Sequence, residues 1–272
     1  MLIRLLIEFT VLVLSCNALG AEPPIVDDPE ILLSRIRNKV AEHLSQLPNY
    51  TCHEVIDRFG RPLNSGALER LDTVELEVAF VGNRELFARP AGTRFEEQSI
   101  FKIVSTGTIG SGAFGAHAEG VFSGDAATFK YVGPSKKEGH QTFRYDFNVP
   151  QDKSHFLVRH NSAEAIVAYR GSFWADAETL ELVRLELKAD HIPSYVEVGM
   201  VKDVMRYKPV QIRDSTFLLP YKSELAAIET ASGFYYMNIV NLERCREFTG
   251  ESVVKFGAPI DTPSADRATP SQ

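Results

Sequence analysis

The sequence is short of cysteine, tryptophan and positive charge: 272 residues hold three Cys, one Trp, and 29 Lys and Arg against 36 Asp and Glu. Each shortage excludes something. Three cysteines do not build a disulfide scaffold or a set of zinc sites. A net charge of −7 argues against nucleic acid as a partner, because binding phosphate needs clustered basic side chains. No apolar run approaches the roughly 20 residues of a membrane-spanning helix. What the chain does have is 44% hydrophobic and 10% aromatic residues. That is too apolar for a disordered chain, and the length suffices for one large domain or two small ones with a sizeable core.

Arg4 precedes an apolar stretch from Leu5 to Leu14, interrupted by Glu8 and Thr10, and small residues follow. That is the layout of a secretory signal peptide over residues 1–21. Two processing routes fit. Cleavage near Ala18-Leu19-Gly20-Ala21 gives a soluble periplasmic or secreted chain. Alternatively, Val13-Leu14-Ser15-Cys16 has the form of a bacterial lipobox, in which a lipidated Cys16 anchors the protein to a membrane. The segment carries one acid and one base, so its removal leaves the net charge unchanged. Cys52 and Cys245 then remain. In an oxidising compartment an even pair reads most economically as one disulfide stapling the first strand to the last. Two buried free thiols are the alternative; a metal site is disfavoured because neither has a partner ligand at CxxC or HxH spacing.

Asp28-Pro29-Glu30 is a helix start, with a capping side chain, a proline at the first position and an acid at the positive end of the dipole. Leu33, Ile36, Val40, Leu44 and Leu47 continue as one amphipathic stripe, which Pro48 closes. From Tyr50 the period becomes two. Val74, Leu76, Val78 and Phe80 alternate with polar or small residues; so do Phe143, Tyr145, Phe147 and Val149, and again Val183, Leu185 and Leu187. Further strands are expected over 84–89, 126–132, 163–170, 206–213, 218–229 and 234–245. The fold class is therefore mainly β (α+β): a large curved antiparallel sheet or half-barrel with one N-terminal helix. Residues 22–257 form one half-barrel domain in this reading. Residues 107–124 are Gly-rich, with a short helix or lid at 113–121, and the tail 258–272 is expected to be disordered.

Catalytic constellations are weak. Gly107-Thr108-Ile109-Gly110-Ser111-Gly112 lacks the Gly-Lys-Ser/Thr ending of a phosphate loop and reads as a flexible loop or lid. Ser111 is not in a GxSxG elbow. His117 and Glu119 share the short helix, and His155 and His160 flank a strand or turn, but none has zincin or facial-triad spacing. No metal, cofactor or catalytic residue is assigned.

One segment is more specific. Gly171-Ser172-Phe173-Trp174-Ala175-Asp176-Ala177-Glu178-Thr179-Leu180, followed by Val183-Arg184-Leu185-Glu186, resembles the hairpin of the outer-membrane lipoprotein-sorting (LolA-like) family and of RseB-like periplasmic sensor domains. Phe80-Val81-Gly82-Asn83-Arg84, the stretch 139–147 and Phe217-Leu218-Leu219-Pro220 follow in that family's order, spanning about residues 30 to 248. Leu47-Pro48-Asn49-Tyr50-Thr51-Cys52 also resembles bacterial secreted proteins of uncharacterised role. The family resemblance implies a half-barrel wrapped around helices, with an apolar cavity for acyl chains.

Together these readings suggest a non-catalytic envelope protein that binds a hydrophobic ligand, such as a lipid or a lipoprotein acyl chain. Phe80, Phe143, Tyr145, Phe147 and Trp174 are its expected wall residues. The alternative is an envelope interaction or stress-sensing module with a filled core, a protein partner and no lipid; an envelope hydrolase is a third reading. Mass spectrometry of the mature N-terminus separates the two processing routes. A chain starting at Glu22 is expected, and a diacylated Cys16 would overturn it.

Overall fold

The computed structural model describes residues 28–64, 66–82, 84–90, 95, 100–104, 107–112 and 115–248. The signal region, Cys16 and the tail from 258 lie outside the described residues. Helix α1 (Pro29–Gln46) starts as its sequence dictates. Asp28 is extended, and its carboxylate accepts the Glu30 N–H at 2.8 Å. Leu32, Ile36 and Val40 are the buried residues, with Leu33 and Leu44 at the margin. The stripe expected from Leu33 to Leu47 thus packs inward, widened on one side by Leu32. Leu47 leaves the helix in extended backbone, the conformation that Pro48 favours in the residue before it.

The first strand, β1 (Tyr50–Pro62), is followed by β2 (Glu69–Val81) and β3 (Arg84–Ala88). Two short helices, α2 (Ile100–Ile103) and α3 (Ala116–Phe122), lead to β4 (Thr128–Lys137) and β5 (His140–Val149). A small hairpin, β6 (Leu157–His160) and β7 (Ala163–Ile166), precedes β8 (Ala168–Asp176) and β9 (Leu182–Asp190). The chain ends in three long strands, β10 (Val198–Ile212), β11 (Ser215–Glu229) and β12 (Phe234–Glu247). Ten of the twelve make one curved, open antiparallel sheet in the order β3-β2-β1-β12-β11-β10-β9-β8-β5-β4; β6 and β7 pair separately.

Several expected boundaries shift. The strand expected over 163–170 divides between β7 and β8 at Val167, whose N–H bonds Phe156 O. The short helix begins at Ala116 rather than 113, and β10 begins before 206. Helix α2 has no counterpart in the sequence reading. In β9 a register slip opposite Trp174 and Ala175 breaks the period-two pattern. Leu182, not Val183, joins Leu185 and Leu187 in the inner core.

That inner core has two parts. Beneath α1 and α3, β5, β8 and β9 contribute Phe143, Tyr145, Phe147, Phe173 and Leu185. Tyr145 stacks on Phe173 at 5.2 Å, and Phe122 of α3 meets Phe173 edge-on at 5.0 Å. Each fully buried apolar side chain contributes roughly 1.5–3 kcal/mol. Gly171 lets β8 sit flat here: a Cβ would fall 1.8 Å from Glu186 O and 2.8 Å from Phe147 Cζ. The second part lies on β1, β2, β3, β11 and β12 and includes Tyr50, Ile56, Leu76, Val78, Phe80 and Phe87.

The expected disulfide is present: Cys52 on β1 is bonded to Cys245 on β12. It sits where the β1–β12 register slips between Thr51 and His53, next to Arg244 with its left-handed backbone, φ 50°. Those strands are already paired, so the cross-link acts largely by restricting the unfolded chain, whose closed loop spans 193 residues. The Cys52→Ser/Cys245→Ser double variant should lose about 2–5 kcal/mol in urea unfolding. An unchanged midpoint would remove the disulfide from the stability account.

Candidate functional site

Two concavities open on or beneath the inner face. The larger is a groove of about 320 Å³ between the C-terminal half of α1, the 47–49 connection, the end of β2 and α3. Its apolar lining is Ala41, Leu44, Leu47 and Phe80, and Asn49 and Glu119 are among its polar members. Phe80 is 5% exposed and packs on Tyr50 at a ring distance of 5.8 Å. The volume is at the lower end of small-molecule sites, which run about 300–1,000 Å³.

The smaller cavity, about 20 Å³, is acidic and lies under residues 107–112, which cross the inner face of the second core. It has room for about one water. Glu54, Glu85, Asp203, Ser223 and Asn238 face it among Ile, Val and Leu side chains. Glu54 is 8% exposed, and its Oε2 has no hydrogen-bond partner. Burial, reinforced by the Glu85 charge, pushes its carboxyl up to about 8, so Glu54 is protonated at neutral pH. Glu85 accepts the Gly112 N–H at 2.7 Å, and Asn238 donates Nδ2 to Thr108 O at 2.8 Å. Asp203 accepts the Val204 N–H at 2.8 Å, with His117 Nε2 3.4 Å from its other oxygen. The Tyr207 hydroxyl is buried without a partner; burial raises its pKa, and Asp203 and Glu85 add to the shift. Tyr50 is raised for the same first reason, with Glu85 and Tyr207 adding to it. Among the described residues no three His, Cys, Asp or Glu side chains are gathered to hold a metal ion.

At one end of this trough Arg58, 5% exposed, makes a two-pronged bond to Asp72 at 2.6 and 2.5 Å. The hydrogen bonds from Arg58 hold the Asp72 carboxyl below the usual range.

The five expected wall residues divide three ways. Phe143, Tyr145 and Phe147 come together, buried in the core under α1 and α3; the Tyr145 hydroxyl donates to Pro29 O at 2.7 Å. Phe80 lines the groove. Trp174 lies on the opposite face, with Lys137 Nζ 4.4 Å and the Arg144 guanidinium 5.4 Å from its ring. The reason is parity: Trp174 is in register with Arg144 and Arg184, whereas its neighbour Phe173 pairs with Tyr145. Successive strand residues point to opposite faces. The same parity marks the acids that the sequence reading passed over. Glu54 alternates in step with Cys52, Ile56 and Arg58, Glu85 with Phe87, and Asp203 with Met205. His117 and Glu119 do share α3, but the first meets Asp203 and the second borders the groove.

No family model matches the chain, and no curated protein matches it. Solved structures of similar course exist. One is described as an outer membrane lipoprotein-sorting protein domain from Vibrio parahaemolyticus: TM-score 0.42, 12% identity, 82% of this chain and 94% of that one covered. Another is a DUF1329 family protein from Desulfovibrio piger: TM-score 0.42, 9% identity, 83% and 95% covered.

Asp72→Asn should lower stability by about 1–2 kcal/mol at neutral pH, because the Arg58 guanidinium stays buried while Asp72 is half exposed. The Asp72 pKa is lowered by folding, so its contribution is present above the ordinary carboxylate range and lost as pH falls through the depressed value. Urea titrations should therefore show wild type and variant converging at low pH. Equal stability at pH 7 would contradict the assignment.

Proposed function

We propose that this is a non-catalytic protein of the bacterial envelope that holds an apolar ligand, a lipid or a lipoprotein acyl chain, in the groove beside Phe80. The observation that carries the reading is the groove itself. It offers about 320 Å³ with Phe80, Leu44, Leu47 and Ala41 on its walls, while the aromatic face of β5 and β8 is covered by α1 and α3. A chain lying there would exchange water for apolar contact at about 25 cal/mol per Å², with Asn49 and Ser123 beside a polar end. A non-catalytic role is supported by the acidic cavity, which has room for about one water and none for a substrate. The envelope assignment rests on the signal-like residues 1–21 and is supported by the disulfide, a bond at home in oxidising compartments. Among the described residues no helix is long and apolar enough to cross a membrane.

A second reading has its own observation. Phe143, Tyr145 and Phe147 are buried in the core beneath α1 and α3, as an interaction or stress-sensing module of the same fold would require. Native mass spectrometry with lipid extraction on gently purified protein distinguishes the two. Wild type should carry an acyl-chain mass. Ala41→Trp, a change at an exposed residue that fills the groove mouth, should lose it at least tenfold while keeping the same circular dichroism. Wild type free of lipid, or a filled groove that binds as before, would sink the ligand reading. Lipid-free protein with a co-purifying envelope protein would favour the module.

A further inference from the structure

We propose that residues Gly107–Gly112 form a proton-operated strap over the acidic cavity, closed while Glu54 carries a proton and released when Glu54 ionises beside Glu85. This device is separate from the Phe80 groove and does not require that groove to bind anything.

The strap is seated by contacts with the cavity's own walls. Asn238 donates to Thr108 O at 2.8 Å, and the Gly112 N–H donates to Glu85 at 2.7 Å. Between them Ile109, 9% exposed, is buried in the second core. Glycine permits this close fit. A Cβ at Gly110 would stand 2.9 Å from Leu225 Cδ2, and Gly112, at φ 102°, would place one 2.8 Å from the His117 ring. All three anchors, Asn238, Ile109 and Glu85, line the cavity with Glu54. A change of charge in the cavity therefore acts directly on the strap.

Among the described residues, the surroundings of Glu54 favour its neutral form. From β1 come Tyr50 and Arg58, from β3 Glu85, from β10 Asp203 and Tyr207, and from β11 and β12 the uncharged Ser223 and Asn238. Beside Glu54, β2 and β12 set Leu76 and Leu242 in register. Arg58 is engaged with Asp72, and α3 directs His117 at Asp203. The Glu54 Oε2 is buried with no partner. An ionised Glu54 would face the Glu85 carboxylate across a cavity with room for about one water, and two like charges in such a place raise each other's proton affinity. Lifting the strap admits solvent and relieves both the desolvation and the repulsion.

The sign follows from the proton. Closed, Glu54 titrates near 8; open and hydrated, it returns to roughly 4.3. The closed form is therefore fully favoured below the lower value and loses ground up to the higher one, by about tenfold per pH unit.

Hydrogen exchange on the full-length protein between pH 5 and 9 tests this, with Glu54→Gln as the reference that cancels the intrinsic pH dependence of exchange. The wild-type to variant ratio of strap-amide rates should rise roughly tenfold per unit from pH 6 to 8 and flatten above. Amides of β5, β8 and β9 should show no such rise. A flat ratio, or a rise shared equally by the core strands, would overturn the proposal. Should Glu54→Gln fail to fold, Glu85→Gln provides the second reading. It keeps an acceptor for Gly112 but removes the opposing charge, so the wild-type midpoint should move to lower pH. An unmoved midpoint would also overturn the strap.

Discussion

The pairing of the first strand with the last is the constraint on which the rest of the structure depends. β1 runs antiparallel to β12 along almost its whole length, and Cys52–Cys245 fastens the two. That single non-local pairing places the beginning of the sheet beside its end and extends the sheet past β12 by three strands. Without it, β1, β2 and β3 would be a separate meander with one greasy face and no cover. With it, Glu54, Ile56 and Arg58 face the same interior as Asn238, Val240 and Leu242, and the acidic trough exists.

The two halves of the inner face answer their exposure differently. Over β5, β8 and β9 the cover is helical, and the aromatic side chains interlock with α1 and α3 until little space remains. Over β1, β3, β11 and β12 the cover is the short helix α2, through Ile100, together with a narrow strap of glycines around Ile109. Beneath the strap lie polar side chains of the sheet, Asn238 and Glu85 among them. A strap supplies what they need, a carbonyl for Asn238 and an N–H for Glu85. The groove beside Phe80 lies toward the boundary of the two regimes, where the end of α1 meets the C-terminal half of α3.

Much of this is legible in the residues because period and parity are local. Phe143, Tyr145 and Phe147 announce one face of a strand, Asp28-Pro29 announces a helix start, and Cys52 and Cys245 announce each other. What escapes is set by events between strands. The register slip at Trp174/Ala175 exchanges Leu182 for Val183, and nothing in the 182–187 alternation signals it. Trp174 was chosen for its aromatic character, whereas its place follows from parity with Arg144 and Arg184. Its burial on the outer face comes from the β4–β5 turn: Lys137 reaches its ring, and Glu138, at φ 48°, binds Arg184 at 2.5 Å and Arg206 at 3.0 Å. The groove at Phe80 is half visible in the sequence, since the strand alternation places Phe80 on the apolar face, while the helical spacing of Leu44 and Leu47 shows only a stripe.

The acids of the trough were overlooked for a different reason: charged residues on a strand are read as its wet face. Here they occupy apolar parity, and the cost of that choice is the informative quantity. A buried ionised carboxylate without a partner would cost several kcal/mol, and the fold avoids most of it by keeping Glu54 neutral. Apolar residues at positions 54, 85 and 203 would pack the same space with no such cost. A sequence that keeps Glu, Glu and Asp there, together with a cover light enough to lift, retains a group whose charge can change between pH 5 and 9. The strap and the acids therefore make sense together: a stiffer cover would leave Glu54 no way to ionise, and an apolar trough would leave the cover nothing to respond to.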